Sequence, residues 1–96
     1  MLNMHISRYV SLHRSLGRKF SEQERLLHLY AAYAGGFGDR HIQVQRVYDW
    51  CRSASSQNVA RHRFDTVRNF SRFIQADDPA HEVPPAGVFG RGLGGR

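Results

Sequence analysis

Disulfides are the first thing the sequence leaves out. Cys51 is its single cysteine, so no internal bridge can form and no cysteine-rich secreted scaffold is encoded. A lone thiol fits a reducing compartment. Long apolar runs are missing as well: none approaches the roughly 18 residues that a membrane span needs. The N-terminus lacks the charged segment and apolar core of a secretory signal. The chain is therefore read as cytoplasmic, with no membrane partner. No stretch alternates apolar and polar residues as a half-buried strand does. The histidines His5, His13, His28, His41, His62 and His81 carry no cysteine or carboxylate cluster at zinc spacing, and no metal is expected. The glycine-rich end lacks the Gly-Lys-Ser/Thr of a phosphate loop. With carboxylates scattered and unpaired, nothing marks an enzyme, a cofactor or a small-molecule substrate. Lysine is nearly absent too: of 14 basic residues, all but Lys19 are arginine.

What is present is a globular core and a surplus of positive charge. The 96 residues are 41% hydrophobic, enough for one domain that folds without metal or disulfide. The 14 basic residues face 8 acidic ones, for a net charge of +6. Arginine presents a rigid planar fork that pairs with phosphates and guanine edges. A surplus of this size points to a polyanionic partner. Base composition alone also enriches arginine, so the charge becomes informative only with a fold to place it.

Apolar spacing predicts four helices. The first covers Met4 to about Leu16, with Ile6, Tyr9, Val10, His13 and Leu16 on one stripe and Gly17 as its stop. The second starts at Ser21, which forms a capping box with Glu24. Leu26, Leu27, Tyr30, Tyr33 and Ala34 make its buried face. Gly35, Gly36 and Gly38 end it, and Phe37 folds back onto it. The third runs from about Gln43 to Ala54 on Val44, Val47, Tyr48 and Cys51, with Trp50 at the edge. Ser55 or Ser56 caps the fourth, from Gln57 to Gln75. There Ala60, Phe64, Val67, Phe70 and Ile74 face the core, with Phe73 adjacent. Arg61, Arg68 and Arg72 share another side. Asp77-Asp78-Pro79 closes this helix. The expected architecture is all-α, a four-helix domain over residues 1–80, with residues 81–96 as a flexible, glycine-rich linker or tail. Tyr30, Tyr33, Phe64 and Phe70 could stack on bases, but their helical spacing assigns them to the core. Cys51 on an apolar stripe reads as a buried, inert thiol.

Two stretches resemble a known family. Arg8-Tyr9-Val10-Ser11-Leu12-His13-Arg14-Ser15-Leu16-Gly17-Arg18-Lys19-Phe20 is similar to the opening of tyrosine recombinases of the phage-integrase type. So is Val67-Arg68-Asn69-Phe70-Ser71-Arg72-Phe73-Ile74, followed by Asp77-Asp78-Pro79 and Glu82-Val83-Pro84-Pro85-Ala86-Gly87. Together they resemble the N-terminal core-binding domain of that family, and the likeness reaches about Gly87. It implies a SAM-like orthogonal bundle forming half of a clamp around double-stranded DNA, with its second and fourth helices against the DNA. It also implies that the catalytic residues belong to a separate domain that follows in sequence. The segment Gly90 to Arg96 departs from the family's linker. The chain is thus expected to be an excised domain or a truncated reading frame. Tyr9, Tyr30, Tyr33 and Tyr48 are not expected to be nucleophiles.

The resulting expectation is DNA binding for recombination or integration, without catalysis. Arg18, Lys19 and Arg25 stand at the start of the second helix, where backbone N–H groups and the helix dipole add to phosphate attraction. Asn58, Arg61 and His62 lie near the start of the fourth, and Arg68 lies further along it. The alternative is a helical interaction module, or a non-catalytic remnant, that docks on recombinase subunits.

Overall fold

The start of the second helix departs most from expectation. In the computed structural model, which describes residues 2–85, Ser21 is the first helical residue and Phe20 is the cap, with a left-handed backbone (φ 61°). No side chain caps this end. Glu24 does not reach back as a capping box requires; its carboxylate takes the Arg14 guanidinium at 2.7 Å. Phe20 accepts a backbone conformation that bulky residues rarely adopt. The ring this places stacks on His13 at 4.2 Å and meets Tyr9 edge-on at 5.4 Å.

The described residues form an all-α fold of four helices: α1 (Leu2–Ser15), α2 (Ser21–Gly35), α3 (Val44–Arg52) and α4 (Gln57–Gln75). Among these residues there is no strand, and every helix pair packs except α1 with α3. Helices α2 and α4 touch all the others and form the centre of the bundle. The turn after α1 follows from Gly17, whose positive φ lets Gly17 N–H reach Arg14 O and Arg18 N–H reach His13 O. Gly38 closes α2 in the same way, with Gly38 N–H on Gly35 O and Asp39 N–H on Ala34 O. The fourth helix has the expected limits, and Ser56 caps it by accepting from Val59 N–H at 3.2 Å.

The core follows the apolar stripes. Tyr9, Leu27, Tyr30, Val47, Cys51, Phe64, Val67, Phe70 and Ile74 are buried. Tyr9 meets Phe70 edge-on at 5.3 Å, joining α1 to α4. Leu16 does not share this burial: it is exposed, because α1 ends at Ser15. Tyr33 is half-buried at the rim. Trp50, expected at an edge, is buried against Tyr30, with the Arg63 guanidinium over its ring at 4.7 Å. Phe37 stays exposed yet turns back to Tyr33. Arg46 covers the Phe37 ring at 3.8 Å while gripping Asp39 at 2.7 Å.

Residues 81–84, which the sequence assigns to the tail, pack on the helical body. His81 and Pro84 are buried in the body of the domain. Glu82 N–H donates to Ile42 O at 2.8 Å, and Glu82 Oε1 accepts from Val44 N–H at 2.7 Å. Arg68 Nε holds Pro84 O at 3.0 Å. A carboxylate from beyond α4 thus takes one of the free N–H groups at the start of α3. The glycine-rich stretch from 86 onward, expected to be a mobile tail, lies outside the described residues.

Candidate nucleic-acid interface

The acidic residues consume much of the positive charge locally. Arg8 pairs with Asp77, Arg14 with Glu24, Arg25 with Glu22, Arg46 with Asp39 and Arg52 with Asp49. Arg63 and Arg68 have no carboxylate, but they are half-buried and donate to the carbonyls of Trp50 and Pro84. Among the described residues this leaves Arg18, Lys19, Arg40, Arg61 and Arg72 as exposed cations that meet no carboxylate.

Two of these, Arg18 and Arg72, line one groove of about 620 Å³ between the α1–α2 turn and α4. His62, Gln23, Asn69 and Thr66 line it as well, over a floor of Tyr9, His13, Phe20 and Phe73. Asp65 is the one carboxylate among its lining residues. Arg18 is held at the mouth by His13, with its terminal nitrogen 2.7 Å from Nδ1. Burial, and then the Arg18 charge, lower the His13 pKa, which favours the neutral ring that can accept from Arg18. The uncapped start of α2 borders the same groove through Phe20 and Gln23; the Glu22 and Glu24 carboxylates of its first turn are taken by Arg25 and Arg14. Glu22 lies close enough to α4 that His62 helps lower its pKa, after the larger effect of Arg25.

The expected site residues separate into groups. Arg18 and His62 line the groove, and Lys19 is exposed beside Arg18. Asn58 and Arg61 bond to each other at 2.9 Å on the exposed start of α4. Arg61 and Arg72 lie near one line along α4, about three turns apart. Arg25 sits on α2 with both ends of its fork on Glu22, at 2.5 and 3.2 Å, so its charge is already matched. Arg68, on the same side of α4 as Arg61, is half-buried and donates to Pro84 O. The groove adds Arg72, Gln23 and Asn69 to the expected set. Arg72 could have been found from its stripe with Arg61; the two amides give no sequence signal.

Outside the groove the structure assembles a group that sequence spacing concealed. The ligand atoms of His41, Asp78 and His81 lie within 4.8 Å of one another. His81 Nδ1, however, accepts the Ile42 N–H at 3.1 Å, which leaves the ring proton on Nε2, the nitrogen facing Asp78. A metal-bound histidine instead donates from its second nitrogen. In this arrangement His81 Nδ1 is committed to the Ile42 backbone and Asp78 Oδ2 lies 3.0 Å from His41 Nε2.

Cys51 is fully buried, and burial pushes its thiol pKa up to about 12. Thiolate is the reactive form. Ellman's reagent is therefore expected to leave the native protein unmodified at pH 8 and to titrate one thiol in denaturant. Rapid native labelling would show that this part of the core opens.

The chain is 31% identical over 85 residues to a protein of Sinorhizobium fredii that carries the name of an integrase/recombinase (y4rB). The match takes in 86% of this chain and 27% of that protein, so the chain spans about a quarter of the length of the curated relative it matches. The sequence relationship to an integrase/recombinase thus runs through most of the described fold. No family profile matches the chain, and no solved structure matches it.

Proposed function

We propose that this chain is a non-catalytic DNA-binding module of the tyrosine-recombinase kind, corresponding to the core-binding domain. The observation that carries the reading is the sorting of cations. The arginines left without carboxylates include Arg18 and Arg72 on one polar groove, with Lys19 and Arg61 exposed on the same two elements. Phosphates satisfy such side chains, and groove amides such as Gln23 and Asn69 suit the edges of bases. The similarity to an integrase/recombinase supports the same reading. Double-stranded DNA is then the partner, and the chain contributes binding without strand cleavage.

Titrating a labelled duplex at several salt concentrations tests this. Affinity is expected in the weak range of about 10⁻⁴–10⁻⁶ M, falling steeply as salt rises. Arg61→Ala should reduce the magnitude of the log-affinity against log-salt slope by about 0.9. Arg68→Ala should leave that slope unchanged, since its guanidinium is engaged with Pro84. Absence of binding at low salt would overturn the reading. A docking role has its own support in Met4, Leu12 and Leu16, which are exposed on and just after α1. Association through such a surface would be insensitive to salt, unlike phosphate binding.

A further inference from the structure

The segment that follows α4 is fastened by contacts that depend on the protonation of one histidine. His81 is buried, with 2% of its surface exposed. Its Nδ1 accepts the N–H of Ile42, itself fully buried, and the next residue returns the bond through Glu82 N–H to Ile42 O. Both backbone groups of Ile42 are thus used by residues 81 and 82. Gln75 Nε2 donates to His81 O at 2.9 Å, and Arg68 donates to Pro84 O. Glu82 completes the fastening by capping α3 through Val44 N–H.

The bond to Ile42 sets the protonation state. A neutral imidazole with its proton on Nε2 offers Nδ1 as an acceptor; an imidazolium offers N–H on both nitrogens. Charging His81 therefore sets an N–H against the Ile42 N–H inside the core. The neighbours add to this cost. His5 of α1 meets the His81 ring edge-on at 5.6 Å, and His41, from the loop before α3, does so at 4.9 Å. Asp78, from the turn after α4, is the opposing anion at 4.0 Å, but its carboxylate is already shared with His41 at 3.0 Å. Glu82, adjacent in sequence, is committed to Val44 N–H.

We propose that residues 81–84 form an acid-released clasp: protonation of His81 at Nδ1 breaks its bond to Ile42 and frees the segment while the four helices stay folded. Closed, the clasp fixes the backbone at Pro84. Open, the last anchored point of residues 2–85 moves back to the turn at Asp78. The proposal holds whether or not the groove binds DNA. Burial, then His41 and His5, lower the His81 pKa from the ordinary value near 6.5, with Asp78 opposing. A depressed histidine pKa means the released chain binds protons more readily. Closure is then fully favoured above about pH 6.5 and is lost as pH falls through the folded value.

Amide hydrogen exchange on the intact chain tests the clasp, corrected for the intrinsic pH dependence of exchange. Between about pH 7.5 and pH 5, protection at Ile42, Val44 and Glu82 should fall by up to about tenfold per pH unit below 6.5, while Val67 and Phe70 in α4 keep theirs. His81→Asn places an amide oxygen near the position of Nδ1 and does not titrate, so its Ile42 protection should stay flat. As a measurement independent of any variant, ¹⁵N spectra of the wild-type ring should show the Nε2–H tautomer at neutral pH. Unchanged Ile42 protection down to pH 5, loss of Val67 and Phe70 protection in step with Ile42, or the Nδ1–H tautomer would each overturn the proposal.

Discussion

Phe70→Ala is expected to destabilise the domain by about 3–5 kcal/mol, the usual range for emptying a buried phenylalanine site. Phe70 is fully buried on α4 and carries the edge-on contact to Tyr9 of α1. Truncation removes the ring from water-excluded packing and leaves a void between two helices that cannot easily close it. A domain of this size has only about 5–15 kcal/mol in total. At about 4–8 °C per kcal/mol, the melting temperature should fall by more than about 12 °C. Leu12→Ala is the matched control. Leu12 is 44% exposed on α1, and its replacement should stay within about 0.5 kcal/mol. Thermal melts followed by circular dichroism separate the two. A Phe70→Ala melt within a degree or two of wild type would mean that the α1–α4 contact does not hold the bundle together.

Reversing charge at the groove should have the largest effect on binding. In the double variant Arg18→Glu, Arg72→Glu, both carboxylate-free cations of the groove become anions. Each phosphate left without its arginine lowers the salt slope by about 0.9, which near 50 mM salt corresponds to roughly tenfold in affinity, so two such phosphates give about a hundredfold. Repulsion from the new carboxylates adds to that. Both side chains are exposed, so the melting temperature should hardly change. Anisotropy titrations with a labelled duplex at two salt concentrations measure affinity and slope together. Wild-type affinity in the double variant would remove this groove from the DNA surface.

Local signals carried the reading of α4 and of the α1 stop. A long apolar stripe behind a serine cap, and a glycine where the turn after α1 takes positive φ, leave few competing conformations. The same logic failed at Ser21 and Glu24. A capping box is only one use for a glutamate in a first turn, and here Arg14, from the preceding helix, competes for it and wins. Residues 81–84 were hidden for a related reason. Pro84 and Pro85 lead into a glycine-rich stretch that reads as linker, yet His81 and Pro84 are buried by partners from α1, α4 and the loop before α3. Arg61, Arg68 and Arg72 were legible as one stripe. Their separate roles were not, because only the folded chain reveals which arginine is already bonded to a carbonyl. The His41–Asp78–His81 group could not be read at all, since its members come from opposite sides of two helices in sequence.

The clasp also brings the beginning of the described chain to its end. His5 lies against His81, and Arg8 bonds to Asp77 at 3.0 Å. Contacts between such distant segments require the intervening chain to be closed into a loop before they can form. During synthesis, α1 can meet α2 early, but its flank at His5 and Arg8 stays uncovered until residues 77–84 have emerged. The last described segment to leave the ribosome is therefore the one that completes the surface of the first helix. Folding of this domain closes at its two ends together, as a zip does when its halves finally meet.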